Sequence, residues 1–301
     1  MAANRVLQWT QDHDPAVPRQ YVREIHGDPE RPDRDRPEQW PRRLTLFPSR
    51  ALERIGIHLT LALSRIFNRL KVGRAITDQF HLLYWSTRWQ TWSNTFFLGT
   101  SACKCPLDLW IYQEMIYEIR PDVIVECGTF LGGSGFFLAV MCELVNHGSV
   151  VTIDTVARTE TPQHPRLRYL TGSSTSDAIV RDVKQIVGEQ KKVMVILDSD
   201  HHKDHVLKEM RVYSELVPIG SYLIVEDTCL NGHPIKPGFG PGPMEAVQEF
   251  LEENQDFVVD KSREKFHLTF NRDGYLKRVG QTAATTEVTE VEVGVGAEGG
   301  A

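Results

Sequence analysis

Residues 122–135 read DVIVECGTFLGGSG, and this stretch decides the fold of the chain. Its first five residues form an apolar run that ends in an acid, as expected of a buried strand. The glycines that follow let the backbone turn sharply before apolar residues at helical spacing resume at 133–146. A strand that passes through a glycine turn into a helix is typical of the first unit of a ligand-binding α/β sheet.

The residues around this unit repeat the same alternation. Further strands are predicted at 149–154, 166–171, 193–198 and 221–226, and two shorter ones at 257–260 and 266–270. Helices are predicted at 106–120, 133–146, 176–188, 203–216 and 243–254. Continuous Val, Ile and Leu content is typical of parallel strands that are buried on both faces. We therefore predict an α/β, Rossmann-like fold with a mostly parallel, doubly wound sheet, and ligands at the C-terminal strand ends.

The chain outside this region has a different composition. Residues 1–50 are rich in Arg and Pro and are predicted to form a partly disordered arm. Residues 51–105 are predicted to be a helical N-terminal extension, residues 106–279 the Rossmann-like domain, and residues 280–301 a disordered acidic tail. In 51–71, apolar residues at helical spacing alternate with arginines. This segment is expected to pack on the domain or on a second subunit, with peripheral membrane contact as the alternative.

Bulk properties exclude several classes of protein. The 301 residues carry a net charge of −6, which argues against nucleic acid as a partner. Five scattered cysteines do not form a disulfide framework, and Cys103-Lys104-Cys105 is too tight for a zinc knuckle. No signal peptide or membrane-spanning run is recognised, so a cytoplasmic location is expected. Aromatic residues crowd between 80 and 97, where they either wall an acceptor pocket or cover the domain.

The glycine turn lacks the features that bind phosphate. Its spacing, Gly128-x3-Gly132-Gly133, matches neither the dinucleotide fingerprint nor the P-loop. Glu126 at the strand end would repel a pyrophosphate. A ligand with an ammonium group and no phosphate fits better, and S-adenosyl-L-methionine is such a ligand.

The ends of the second and third strands offer further cofactor contacts. Asp154 is placed to accept hydrogen bonds from two ribose hydroxyls, although it could instead be a turn or capping residue. Ser173 and Ser174 are candidate neighbours of an adenine ring, with helix capping as the alternative.

Carboxylates end two other strands. Asp198 ends the fourth, and Glu226 with Asp227 ends the fifth, so we expect the three to converge at one edge of the sheet. Crowded carboxylates repel one another, and a divalent cation removes that cost. All-oxygen ligation favours Mg²⁺ over zinc. His201, three residues after Asp198, is a candidate general base.

Three segments carry a family resemblance: 108–135, 193–210 and 222–247. Together with the run Asn231-Gly232-His233-Pro234 and the Gly/Pro-rich stretch 238–243, they resemble the cephalosporin hydroxylase-type methyltransferase family. They look closest to rhamnosyl and macrolide-sugar O-methyltransferases, and the resemblance covers about residues 75–279. It implies a class I methyltransferase fold.

The resemblance also implies roles for individual residues. The family's metal ligands fall on Asp198, Glu226 and Asp227, its proposed base falls on His201, and its cofactor positions fall on Glu126, Gly128 and Asp154. It implies methyl transfer from S-adenosyl-L-methionine to a metal-bound sugar hydroxyl, on a glycosylated small-molecule or lipid acceptor. A homo-oligomer is expected.

Two rival interpretations remain open on the sequence. His202-x-Asp204, with His233 or His267, matches part of the iron site of an oxygenase. A catalytically inactive methyltransferase fold that serves as a scaffold is the second rival.

Overall fold

In a computed structural model of the protein, the structure describes residues 72–189 and 192–280. The predicted arm 1–50, the amphipathic segment 51–71 and the tail from residue 281 lie outside the described residues. The expected disorder, membrane contact and oligomer therefore stay predictions.

The described chain begins with elements that precede the main sheet. Helix α1 (Val72–Ser86) is followed by two short 3-10 turns and by a small antiparallel hairpin of β1 (Phe96–Phe97) and β2 (Thr100–Ser101). Helix α2 (Pro106–Ile119) then begins with proline at its first position, where no backbone N–H is needed.

Strands and helices alternate from there. The strands are β3 (Val123–Cys127), β4 (Ser149–Asp154), β5 (Leu167–Thr171), β6 (Val193–Leu197), β7 (Tyr222–Val225), β8 (Phe257–Val259) and β9 (Tyr275–Arg278). The helices are α3 (Gly133–Leu144), α4 (Asp177–Val187), α5 (Lys203–Tyr213) and α6 (Pro243–Glu253).

The strands form one seven-stranded sheet in the order β5-β4-β3-β6-β7-β9-β8. The first five strands are parallel, and β9 is antiparallel to both β7 and β8. Alternate residues of β3 and β6 enter two separate cores, one against α4, α5 and α6 and the other against α2 and α3. This confirms the predicted doubly wound, mostly parallel α/β fold.

The strand predicted at 266–270 is wrong. These residues form turns, and the last strand lies further along the chain, at β9. The buried carboxylate of Asp108 in α2 accepts hydrogen bonds from the hydroxyl of Thr269 (2.6 Å) and the backbone N–H of Phe270 (2.9 Å). A side chain has therefore taken a backbone donor that a sheet ladder would need.

Across the described ranges, no helix is both long enough and apolar enough to cross a bilayer. All five cysteines are free thiols.

Candidate active site

A cavity of about 580 Å³ opens at the C-terminal ends of the parallel strands. It lies where the strand order of the sheet reverses, because β4 pairs with one side of β3 and β6 pairs with the other. Doubly wound sheets bind ligands at this point. The cavity is lined by Gly128, Asp154 and Ser173 from the predicted cofactor positions, and by Asp198, His201 and Asp227 from the predicted metal and base positions.

Gly128 adopts the positive φ of the predicted sharp turn and also makes a close backbone contact. Its φ is +105°, and a Cβ at this position would lie 1.9 Å from the carbonyl oxygen of Asp198. The backbone N–H of Asp198 in turn donates to the carbonyl of Cys127 at 2.7 Å. The glycine therefore allows the ends of β3 and β6 to touch, which joins the cofactor turn to the carboxylate edge.

Asp154 stands one residue beyond the last pairing of β3 with β4. Its Oδ2 accepts from the N–H of Phe130 (2.8 Å) and its Oδ1 from the N–H of Val156 (3.0 Å). These bonds fix the carboxylate and use only part of its acceptor capacity. Ser173 lines the cavity next to it, whereas the cap of α4 is Ser176, so the capping alternative does not apply to Ser173.

Glu126 does not line this cavity. It is 1% exposed and lies inside the domain, where its Oε2 accepts from the hydroxyl of Thr152 at 2.6 Å. Burial raises the pKa of Glu126 to about 7, against the charge of Lys104 and the hydrogen bonds from Ser134 and Thr152. A direct contact of Glu126 with a cofactor stays a prediction.

Asp198, His201 and Asp227 come together as expected. One ligand atom from each lies within 4.8 Å of the others, and His201 Nε2 is 3.4 Å from Asp227 Oδ2. Within the ranges that the structure describes, this is the single group of three or more His, Cys, Asp and Glu residues that could hold a metal ion. Burial raises the pKa of both carboxyls, against the nearby charges of Lys104 and His201.

Glu226 faces a different way. It is 3% exposed, its Oε2 lies 2.6 Å from Lys104 Nζ, and its Oε1 accepts from the hydroxyl of Tyr112 at 2.8 Å. Glu226 is thus enclosed by the domain, whereas Asp227, at φ +55°, lines the cavity.

Lys104 is the principal site residue that the sequence did not indicate. It precedes α2, and its ammonium bridges Asp198 (2.5 Å) and Glu226 (2.6 Å). Burial acts to lower the pKa of Lys104, but the charges of Asp198 and Glu226 outweigh it and raise the pKa above its ordinary value. The ammonium therefore pairs with two carboxylates at this edge of the sheet. A lone Lys between two cysteines carries no signal of this role.

A loop between β7 and α6 closes one side of the cavity, with Leu230, Lys236 and Phe239 among its lining residues. Glu245 in α6 holds both ends of this loop. Its Oε1 accepts from Asn231 and His233 at 2.9 Å each, and its Oε2 accepts from the N–H of Gly242 at 2.7 Å.

The titration of Glu245 reflects these contacts. Burial alone would raise the pKa of Glu245, but the hydrogen bonds from His233, Gly242 and Asn231 lower it to about 2.

Aromatic side chains form another part of the cavity wall. Trp85 and Trp92 line the cavity with ring centroids 4.7 Å apart, and Lys236 Nζ lies 5.8 Å from the Trp85 ring centroid. The same rings pack on Phe270. They therefore serve both of the roles that the sequence left open, cavity wall and domain cover.

The residues of the rival iron site are scattered. His202 is exposed and bonds to Asp200, and Asp204 is exposed on α5. His233 bonds to Glu245, and His267 lies in an exposed turn. The structure offers no support for an oxygenase centre in its described ranges.

Comparisons with known proteins agree with this arrangement. Residues 89–279 match the family described as "Rhamnosyl O-methyltransferase/CmcI". A rhamnosyl O-methyltransferase of Mycobacterium bovis (strain BCG / Pasteur 1173P2) is 36% identical over 68% of this chain and 85% of its own length. One from Mycobacterium leprae (strain TN) is 35% identical over 68% of this chain and 91% of its own length.

Among solved structures, CmcI-N160 in its apo form has the same fold. It aligns with a TM-score of 0.50 and 21% identity, covering 63% of this chain and 78% of its own. The family predicted from the sequence is confirmed, and the chain belongs to the rhamnosyl O-methyltransferase/CmcI family.

Proposed function

We propose that the chain is an S-adenosyl-L-methionine-dependent, divalent-metal-assisted O-methyltransferase that acts on a sugar hydroxyl. The observation that carries the proposal is one cavity whose walls hold both the Asp154 turn and the group Asp198, His201 and Asp227. Membership of a family whose relatives are named rhamnosyl O-methyltransferases supports the same reaction.

The cofactor end of the cavity fits a nucleoside. Asp154 is fixed by two backbone N–H groups and retains acceptor capacity for ribose hydroxyls. Ser173 adds a hydroxyl beside it. When bound, S-adenosyl-L-methionine supplies a methyl group on a positively charged sulfur, which leaves as a neutral thioether without needing an acid.

The carboxylates at the other end fit a divalent cation. Asp198 and Asp227 offer oxygen ligands, burial raises both of their pKa values, and a cation would neutralise the two neighbouring carboxylates. When bound, Mg²⁺ or a similar ion lowers the pKa of a hydroxyl that it contacts. Glu226, the third expected ligand, is engaged by Lys104 and Tyr112 in this structure.

His201 is placed to act as the general base. Its Nε2 faces the cavity 3.4 Å from Asp227, which orients the imidazole and stabilises it once it has taken the acceptor's proton. The remaining contribution of the protein is to align acceptor oxygen, methyl group and sulfur, because alignment alone accelerates such reactions by orders of magnitude.

A sugar acceptor suits the aromatic part of the cavity wall. The faces of Trp85 and Trp92 offer apolar surface, and Lys236 offers a hydrogen-bond donor near the same ring. We propose rhamnose or a deoxysugar, carried by a glycolipid or a natural product, as the methylated unit.

The function is tested with purified full-length chain, methyl-labelled cofactor, Mg²⁺ and a panel of rhamnosides and deoxysugar glycosides, with and without chelator. We expect label in a glycoside and a loss of transfer with chelator. Methyl transfer that continues in the presence of chelator would contradict metal assistance. Absence of label from every glycoside would contradict a sugar acceptor.

Replacement of His201 tests the base. His201→Ala should lower kcat by about 100- to 10,000-fold, as removal of a general base does elsewhere, with cofactor affinity little changed. His202→Ala, at an exposed neighbour, is the matched control and should retain turnover. Normal turnover by His201→Ala would exclude His201 as the base.

A further inference from the structure

A buried carboxylate lies directly behind the wall of the cavity. Glu209 in α5 is 0% exposed and does not line the cavity itself. Its Oε1 accepts from the hydroxyl of Ser199 at 2.7 Å and from the hydroxyl of Ser174. His205 Nε2 lies 3.3 Å from the same oxygen. One oxygen atom thus joins three side chains, and all three of them line the cavity.

These contacts connect loops that follow two different strands. Ser174 lies in the loop after β5, and Ser199 lies in the loop after β6. The main chain of Ser174 is held by the same helix, because the hydroxyl of Tyr213 donates to the Ser174 carbonyl at 2.7 Å. Helix α5 therefore fixes both serine hydroxyls from the side that faces away from the cavity.

The contacts with Glu209 also fix the direction in which the two serine hydroxyls donate. A carboxylate can only accept hydrogen bonds, and a hydroxyl has a single proton to donate. Both serine protons are used by Glu209. The oxygens of Ser174 and Ser199 are therefore left to accept, and a ligand group that faces them must be a donor.

The cofactor of the proposed function has a group of this kind. Its ribose hydroxyls are assigned to Asp154, and its methyl group must face the metal group. The base is then left to the polar part of the wall that contains Ser174 and Ser199. The 6-amino group of adenine is a hydrogen-bond donor, whereas the neighbouring ring nitrogens are acceptors.

We infer that Glu209 selects adenine as the base of the cofactor by orienting the hydroxyls of Ser174 and Ser199. Glu209 is a positioning residue, since it contacts the serines and not the ligand. With both hydroxyls held as acceptors, a 6-amino group is bound. A 6-oxo base is rejected, because its carbonyl oxygen meets two oxygens that have no proton to offer. This inference rests on the proposed use of S-adenosyl-L-methionine.

The test compares two ligands that differ only at position 6 of the base. Titration calorimetry on the full-length chain measures the affinity for S-adenosylhomocysteine and for its 6-oxo analogue S-inosylhomocysteine. The wild type should bind the adenine form at least about 100-fold more tightly. Glu209→Met should lower this ratio by about tenfold or more, because the freed hydroxyls can rotate and donate to the 6-oxo group.

A conservative variant separates orientation from general support of the fold. Glu209→Gln retains an acceptor oxygen, and the three contacts all use the same oxygen, so the ratio should stay within about threefold of that of the wild type. Asp204→Met, at an exposed acid of the same helix, is the matched control and should retain both affinities.

A loss of both affinities in equal proportion by Glu209→Met, with an unchanged ratio, would show that Glu209 is merely structural and would overturn the inference. A ratio in Glu209→Gln as low as that in Glu209→Met would overturn it too. Comparable binding of the two ligands by the wild type would contradict base selection while leaving the cofactor of the proposed function in place. Binding of neither ligand by the wild type would overturn both proposals.

Thermal melts check that each variant folds. If Glu209→Met does not fold, the double variant Ser174→Ala/Ser199→Ala takes its place, because it removes the two acceptors and keeps the buried carboxylate. Its ratio should also fall by about tenfold or more. An unchanged ratio in this double variant would exclude the two hydroxyls from contact with the base and overturn the inference.

Discussion

At the scale of single residues, His81 in α1 shows how burial changes acid sensitivity. It is 1% exposed and stacks on Phe270 with ring centroids 5.2 Å apart. Neither ring nitrogen has a hydrogen-bond partner among the residues that the structure describes. Burial, helped by the charge of Arg272, lowers the pKa of His81 from 6.5 to about 4.

This pKa predicts a loss of stability in acid. The folded chain binds fewer protons at His81 than the unfolded chain, so stability declines as the pH falls from about 6.5 and the loss is complete below about 4. Between neutral and acid pH, the free energy of unfolding of His81→Leu should therefore decrease by about 3 kcal/mol less than that of the wild type. Urea unfolding at pH 8 and at pH 4.5 would measure it. An identical pH dependence of stability in the wild type and in His81→Leu would contradict the prediction.

A second residue-scale prediction concerns Gly133, the first residue of α3. A Cβ there would lie 2.2 Å from the Ser101 carbonyl oxygen. Alanine usually stabilises a helix relative to glycine, but Gly133→Ala should destabilise this chain by about 3 kcal/mol through overpacking. The free energy of unfolding measures the effect. Gly280→Ala, where the methyl meets nothing within 4 Å, is the control and should be near neutral.

Residue chemistry was only partly predictable from the sequence. Asp154, Asp198 and Asp227 could be placed because each lies at the end of an apolar strand or within two residues after it. The assignment of the adjacent pair Glu226 and Asp227 to one metal site stays a prediction, since only Asp227 lines the cavity while Glu226 contacts Lys104 beside it. Lys104 could not be found, because its partners are 94 and 122 residues away in the chain.

At the scale of elements, the loop between β7 and α6 depends on a single carboxylate. Glu245→Ala removes the acceptor for Asn231, His233 and Gly242 at once. We expect a higher KM for the acceptor and a kcat/KM lower by about tenfold or more, because small displacements of positioning groups are costly. Steady-state kinetics with both substrates would measure this change.

The matched control lies on the same helix. Glu252→Ala, at an exposed position of α6, should leave both KM values unchanged. Cofactor affinity should also survive Glu245→Ala, since the loop does not contribute Asp154 or Ser173. Loss of cofactor binding would mean that Glu245 supports the whole cavity.

Elements differ in how far their sequence determines them. The buried strands β3 and β6 were predictable from continuous branched residues, and α6 from its first-turn proline. The stretch 266–270 has strand-like residues, yet the Asp108 side chain binds its backbone N–H and hydroxyl groups. Thr269 and Phe270 lie 161 and 162 positions away from Asp108 in the chain. Their contacts with Asp108 override the local strand propensity, and no local sequence pattern encodes them.

At the scale of the whole molecule, cofactor binding should stabilise the fold. A ligand that binds only the folded chain at about 100 times its Kd adds about 2.7 kcal/mol. S-adenosylhomocysteine at that concentration should therefore raise the Tm by roughly 5–10 °C for a domain of this size. Asp154→Ala should show a smaller rise at the same concentration, and an equal rise would exclude Asp154 from the cofactor site.

The global topology was partly predictable as well. Strand–helix alternation dictates parallel neighbours and a ligand site at the C-terminal strand ends. The insertion of β9 between β7 and β8 follows from no such rule, because antiparallel edge strands can be added in several orders.

Thr95 fixes the main chain of Lys104, whose N–H donates to the Thr95 hydroxyl oxygen at 3.1 Å and whose carbonyl accepts from that hydroxyl at 3.2 Å. This contact has a consequence for how the chain can be shortened. A chain that begins at Pro106 would retain every strand of the large sheet, the glycine turn after β3 and the loop between β7 and α6. It would, however, expose three acids to one another without their internal counterion. Boundaries for protein engineering or domain exchange therefore belong upstream of Thr95, even though the alternation of strands and helices begins later in the chain.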